Sequence, residues 1–307
     1  MGRLGEIALR LQRVLELGEG LLRELAGAGP DPSVFERCLA FRWEADRGPG
    51  RLVPITEPQL FDLDDLIGVD RSLEKLLANT EQFVRGLPAN HVLLFGERGT
   101  GKSSAVRGLV ARFGSRRLRV VEVRKQDLLH LPRVLEALRG APWRFLLFCD
   151  DLSFDAGETR FRELKAALEG SLLSPPANVR IIATSNRRHL LPESAADNLA
   201  ARLDEAGDLH MGEVVDEKLA LSDRFGLVLG FYGFDQATYL SIVDRYASQA
   251  GIVTPREALH AQALRFALER SSRSGRTARH FIDDLAGRER LARAVAGAHD
   301  QGFSAGG

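Results

Sequence analysis

Val92-Leu93-Leu94-Phe95-Gly96-Glu97-Arg98-Gly99-Thr100-Gly101-Lys102-Ser103-Ser104 is an apolar run that breaks into the spacing Gly-x-x-x-x-Gly-Lys-Ser. Val92 to Phe95 is short and continuously apolar, which predicts a strand buried on both faces. A helix is expected to begin near Lys102. Between the two, Gly96, Gly99 and Gly101 let the chain turn back with its N–H groups facing inward, and the helix adds the positive end of its dipole. Such a turn, from Gly96 through Glu97, Arg98 and Thr100 to Ser104, cradles phosphate oxygens. Lys102 is spaced to reach the β- and γ-phosphates of a nucleotide, and the Ser103 hydroxyl to ligate Mg²⁺. On average composition the four defining letters arise by chance in about one chain in a hundred of this length.

Outward from this loop the apolar pattern alternates. Downstream, Leu118–Val123, Phe145–Cys149, Val179–Ala183 and Gly226–Phe231 read as strands, and Asp127–Leu138 and Glu158–Leu172 have helical period. After a polar stretch from Pro192 to Gly212, a further helix is expected to run through Asp223. Strands alternating with helices imply a parallel, doubly wound sheet. Upstream, a helix is expected to run to about Arg85. Arg47–Pro58, with Gly48-Pro49-Gly50 and two further prolines, reads as a linker. Leu4, Ile7, Leu11, Val14, Leu15, Leu21, Leu22 and Leu25 repeat at helical spacing, and a second helix capped by Asp31 or Ser33 is expected through Phe41. From Asp235 the spacing is helical throughout. The expected organisation is a helical segment (1–46), a linker (47–60), an α/β core (61–234), a helical subdomain (235–300) and a flexible tail (301–307).

The 307 residues carry 42 basic and 42 acidic side chains. This balance gives no global case for nucleic acid or an anionic membrane as partner, while leaving a local basic patch open. The basic residues are nearly all Arg, so a Lys in the phosphate loop carries weight. No apolar run reaches the roughly 20 residues that span a bilayer, and Met1–Leu25 lacks the apolar centre of a signal peptide. Cys38 and Cys149 are far apart, without metal-ligand spacing. A soluble protein of the cytoplasm is expected.

Phe145-Leu146-Leu147-Phe148-Cys149-Asp150-Asp151 is an apolar strand ending in two carboxylates, the form of a Walker B element. Parallel sheets place ligands at the carboxyl ends of their strands, so Asp150 is expected to face the Mg²⁺ on Ser103. Asp151 is then the base that orients and deprotonates the attacking water. Val179-Arg180-Ile181-Ile182-Ala183-Thr184-Ser185-Asn186 brings Asn186 to the same rim, where its amide can bond the γ-phosphate and the water.

With these segments assembled, the chain resembles the AAA+ ATPase superfamily: an α/β P-loop NTPase, with a three-layer parallel-sheet core, a C-terminal helical lid and, here, an N-terminal helical segment. Its wording is similar to a bacterial family of AAA+-like ATP-binding proteins known mainly as a domain of unknown function. The similar segments are Asp65–Asp70, Gly96–Ser104, Phe148–Phe154, Ala183–Glu193, Leu221–Gly226 and Ser274–Arg276. The resemblance implies ATP and Mg²⁺ as cofactors. It makes Ile67 and Gly68 part of the adenine pocket, Asn186 the first sensor and Arg224 an arginine finger acting in trans, and hence implies a homo-oligomer. Arg276, with Arg279 in reserve, is the expected second sensor. It implies ATP hydrolysis coupled to remodelling of a protein partner. A helicase-loader or initiator role on DNA, and a nucleotide-dependent scaffold with little turnover, stand as alternatives. The scaffold is suggested by the short side chain of Asp151, where related ATPases carry Glu. Arg187-Arg188-His189 reads as a polar turn, and Phe231-Tyr232-Gly233-Phe234 as packing between lid and sheet.

Overall fold

The structure, a computed structural model, describes residues 13, 32–45, 50–153, 161–169, 175–186, 202–203, 209–210 and 222–303. The apolar pattern of Leu4–Leu25 and the Arg187-Arg188-His189 turn lie outside these residues, as does all but the last two residues of the helix expected through Asp223.

Chain order begins with α1 (Pro32–Arg37), β1 (Ala40–Glu44) and β2 (Arg51–Ile55), then α2 (Asp70–Val84), β3 (Val92–Gly96), α3 (Lys102–Phe113), β4 (Leu118–Glu122), α4 (Leu131–Leu138) and β5 (Arg144–Cys149). It continues with α5 (Phe161–Glu169), β6 (Val179–Ser185), the two-residue strands β7 (Arg202–Leu203) and β8 (Leu209–His210), and β9 (Leu227–Phe231). Three helices end it: α6 (Gln236–Ala250), α7 (Arg256–Glu269) and α8 (Gly275–Phe303). Residues 301–303 of the expected tail continue α8.

Seven strands form one sheet in the order β2-β1-β4-β5-β6-β3-β9. All its pairings are parallel except β1 with β2. Successive strand residues feed opposite faces. Leu93, Phe145, Leu147 and Ile181 pack with α1, α4 and α5, while Val92, Leu94, Leu146 and Ile182 pack with α2 and α3. Both faces are thereby covered, giving three layers, as expected from continuously apolar strands. A third apolar cluster, centred on Tyr239, Val243, Ala263 and Phe281, holds α6, α7 and α8 together as a helical subdomain.

The sheet reaches further upstream than the sequence pattern indicates. The helix expected through Phe41 stops at Arg37, and Ala40–Glu44 pairs with β4 and β2. Phe41 and Trp43 are buried while Arg42 between them is partly exposed, the period of a strand. The stretch expected as a linker contains β2, and its Gly50 is a packed turn residue with φ +86°, where a Cβ would lie 2.3 Å from the Trp43 ring. Pro54 is tolerated because β2 is an edge strand, where a missing N–H costs no ladder bond. Arg119 of β4, 6 % exposed, donates to the carbonyls of Phe35 (2.5 Å), Gly114 (2.8 Å) and Leu118 (2.8 Å), tying the ends of α1 and α3 to the sheet. Among the described residues, no helix is long and apolar enough to cross a membrane.

Candidate functional site

β3 delivers the chain into a loop that only glycine can follow. Gly96, Gly99 and Gly101 have φ of +134°, +77° and +101°, and a Cβ on Gly96 would lie 1.9 Å from the Phe231 carbonyl oxygen. The loop ends at Lys102, the first residue of α3. The Lys102 ammonium, 7 % exposed, donates to the carbonyls of Gly96 (2.7 Å) and Glu97 (2.6 Å) and to Asn186 Oδ1 (3.3 Å). Burial lowers its pKa from the ordinary lysine range, Asp151 and Asp150 oppose that, and Arg276 and Arg98 reinforce it. Lys102, Arg276 and Arg98 therefore crowd one place with an excess of positive charge, the electrostatics of an anion site.

The carboxyl ends of β5 and β6 complete that place. Ser103 Oγ donates to Asp150 Oδ1 at 2.7 Å. Asn186 Nδ2 donates to Asp151 Oδ1 at 2.5 Å, so one amide spans from Lys102 to Asp151. Asp151 sits in the left-handed region with φ +49°. Among residues with a Cβ, Asp and Asn tolerate that region best, which supplies a backbone reason for Asp at this position.

These groups line a cavity of about 700 Å³ between sheet and lid. From the phosphate loop Arg98, Gly99, Thr100, Gly101, Lys102, Ser103 and Ser104 reach it; Gly96 and Glu97 lie behind it and serve through their carbonyls. Asp150, Asp151, Asn186, Ile67, Arg276 and Arg279 also line it. Gly68 does not: its φ of +82° and missing Cβ let it pack under Thr238 of the lid. The two lid arginines face different surroundings. Arg276 acts electrostatically on Lys102, whereas Arg279 lies 3.8 Å over the Tyr246 ring. Arg224 is remote from the cavity. It precedes β9, whose opposite end, Phe231, pairs with Gly96.

The lid is fastened to the core at two points, one on the phosphate loop and one on the segment before α2. Gly275 N donates to Gly99 O (2.9 Å), and Asp65 accepts from Arg245 Nε (2.7 Å) and Gln249 Nε2 (2.8 Å). Phe234 packs against both the sheet and the lid clusters and lines the cavity, while Tyr232 beside it is 69 % exposed.

The structure also brings in residues that the motifs leave unmarked: Gln59, Phe61, Asp65, Arg107, Tyr246 and Thr184. Arg107 Nη2 bonds Ser104 Oγ (3.0 Å) one helical turn before it, a spacing visible in the sequence. Thr184 stands two residues before Asn186 and so shares its strand face, which is the signal that could have found it. The Ser103 hydroxyl and the Asp150 carboxylate form a hard, oxygen-only donor pair, which fits Mg²⁺ held jointly with phosphate oxygens and water. Among the described residues, no group of three or more His, Cys, Asp or Glu is placed to hold a metal by itself.

A family model described as protein of unknown function (DUF815) matches residues 36–289. Curated proteins give no match. Among solved structures, the RuvB Holliday junction branch migration motor of Thermotoga maritima is similar at 21 % identity and a TM-score of 0.50. The match covers 76 % of this chain and 66 % of the motor, so the chain spans just under two thirds of the motor's length. A point mutant of the same motor matches with the same identity, coverage and TM-score. At this identity the likeness shows the fold alone.

Proposed function

We propose, for a chain that belongs to the DUF815 family of proteins of unknown function, that the cavity between sheet and lid binds Mg·ATP and hydrolyses it, and that hydrolysis does conformational work on a protein partner. The observation that carries this reading is the convergence of three strand ends and one lid helix on the phosphate loop. Lys102, the Asp150–Ser103 pair, the Asp151–Asn186 pair and Arg276 all line one cavity.

In this reading Lys102 exchanges its two loop carbonyls for phosphate oxygens, and Arg276 approaches the same phosphates from the lid. Asp150 and Ser103 hold Mg²⁺, which when bound polarises the phosphates and neutralises their charge. Asp151 takes a proton from the attacking water, held in orientation by the Asn186 amide. Ile67 serves the adenine side, and Arg279, stacked on Tyr246 in the same cavity, stays in reserve to Arg276. Arg224, at the far end of β9, is out of reach of its own cavity and completes that of a neighbouring subunit, which makes the working form a head-to-tail homo-oligomer. Because Gly275 is bonded to the phosphate loop, a change in the phosphates is passed to the lid.

The test is the ATP hydrolysis rate per subunit as a function of protein concentration. The rate is expected to climb with concentration. Arg224→Ala is expected to abolish the climb, with a loss of roughly 10³-fold or more, while leaving ATP binding intact; Lys102→Ala is expected to lose binding itself. A flat rate unaffected by Arg224→Ala would sink the trans finger. Tight binding without turnover would favour the scaffold. DNA enters as one arm of the same assay, since the similar RuvB structure is that of a branch migration motor. Stimulation by DNA but by no protein would replace the protein partner with nucleic acid.

A further inference from the structure

Three successive residues at the carboxyl end of β5 are bonded to one residue of β6. Thr184 Oγ1 donates to Asp150 Oδ1 (2.5 Å) and accepts from the Asp151 backbone N–H (2.8 Å), and the Thr184 carbonyl accepts from Leu152 N (2.8 Å). Thr184 is 1 % exposed. Its hydroxyl thus links the two acidic residues, as donor to the side chain of Asp150 and acceptor from the backbone of Asp151.

We infer that Thr184 is a positioning residue for the acidic pair, setting both the aim of the Asp150 carboxylate at the metal and the left-handed turn that presents Asp151. Asp150 Oδ1 accepts two hydroxyl protons, from Thr184 and from Ser103 (2.7 Å). These bonds hold the carboxylate in one orientation, the one in which it would help Ser103 to hold Mg²⁺. The second bond acts on the backbone. Asp151 has φ +49°, a conformation that a residue with a Cβ keeps only when its surroundings hold it there. The bonds from Asp151 N and Leu152 N to Thr184 bracket that residue and supply the hold. With the backbone turned this way, the Asp151 carboxylate meets Asn186 Nδ2 at 2.5 Å.

The inference rests on the proposed Mg·ATP site, and the experiment separates the two. Binding of a fluorescent ATP analogue is titrated with Mg²⁺ for the wild type, Thr184→Val, Thr184→Ala and Thr184→Ser, with thermal melts and turnover alongside. Val keeps the shape and the β-branch but has no hydroxyl; Ser keeps the hydroxyl. The metal-free affinity is expected to stay within about twofold, because Lys102 and Arg276 are untouched. The Mg²⁺ concentration for half-saturation is expected to rise about 10- to 100-fold in the Val and Ala variants, as for the loss of an outer-shell partner. The Ser variant is expected to remain near wild type, and kcat to follow the metal titration. If Val does not fold, Ala against Ser carries the comparison. Folded Val or Ala protein with a wild-type Mg²⁺ titration would overturn the inference alone. So would an equal loss of metal-free and metal-bound affinity, the mark of general packing damage. A wild-type protein whose nucleotide binding is absent, or indifferent to Lys102→Ala, would overturn the proposed function and this inference together.

Discussion

Replacing Gly99 by Ala is expected to separate the lid from the phosphate loop, and the structure allows the cost to be apportioned. Gly99 has φ +77°, and an added Cβ would lie 2.8 Å from Ser274 Oγ, 2.9 Å from Ser274 Cβ and 3.2 Å from Arg276 Cβ. Holding Ala in the left-handed region costs about 1 kcal/mol. Ser274 caps the first turn of α8 through Thr277 N (3.2 Å) and is buried, so it cannot rotate away; the start of α8 must move instead. That movement breaks the 2.9 Å bond from Gly275 N to Gly99 O, worth about 1 kcal/mol. It also draws Arg276 away from Lys102. The sum is about 2–3 kcal/mol, or roughly 5–10 °C in melting temperature for a domain of this size, with ATP affinity falling about tenfold as the lid cation retreats.

Gly140→Ala provides the control, since Gly140 has φ +75° and nothing within 4 Å of an added Cβ. It carries the backbone cost alone, about 1 kcal/mol, and leaves nucleotide binding unchanged. Thermal unfolding with and without Mg·ATP, together with fluorescent-nucleotide titrations, reads both variants. Equal losses of stability for the two, with nucleotide affinity unchanged in both, would refute the idea that the loop and lid are joined at Gly99.

Two further predictions concern buried side chains. His91 accepts a hydrogen bond from Ile181 N at Nδ1 (2.9 Å), and burial, with help from the Arg180 charge, lowers its pKa from 6.5 to about 4. Between those values the unfolded chain binds a proton that the folded one refuses. Stability is therefore complete above pH 6.5 and lost as pH falls toward 4, by up to about 3 kcal/mol; denaturant melts at pH 5 and pH 7 should show the loss, and His91→Asn should flatten it. The Cys149 thiol is pushed up to about 12, first by burial and then by the neighbouring Asp150 charge. At pH 8 only about one molecule in 10⁴ then carries the thiolate, so iodoacetamide should spare Cys149 in the folded protein and modify it in denaturant; mass-spectrometric detection of native labelling would contradict its burial.

What could be read along the chain was whatever neighbouring residues decide among themselves. The strand, turn and helix around Gly96–Ser104 are a matter of glycine φ angles and an apolar run, all within about a dozen residues, and the structure has them there. The β5 and β6 runs were equally legible, because a strand buried on both faces must be apolar throughout, and each ends at the rim where Asp150, Asp151 and Asn186 meet. The strands β1 and β2 were not. Whether Ala40–Glu44 is a helix or a strand is decided by β4, some 80 residues later, and Gly50 and Pro54 carry the same letters in a linker as in an edge hairpin. Gly68 was matched to the adenine-pocket segment by its neighbours in sequence, but the packing of Thr238 against its missing Cβ set it outside the cavity. Thr184 has no motif of its own; its hydroxyl meets the Asp150 carboxylate and the Asp151 N–H only because β5 and β6 pair in a register that places Cys149 opposite Ala183. Local propensity and burial pattern are properties of the chain, whereas register, edge position and the meeting of lid and loop are settled by contacts between residues far apart in sequence.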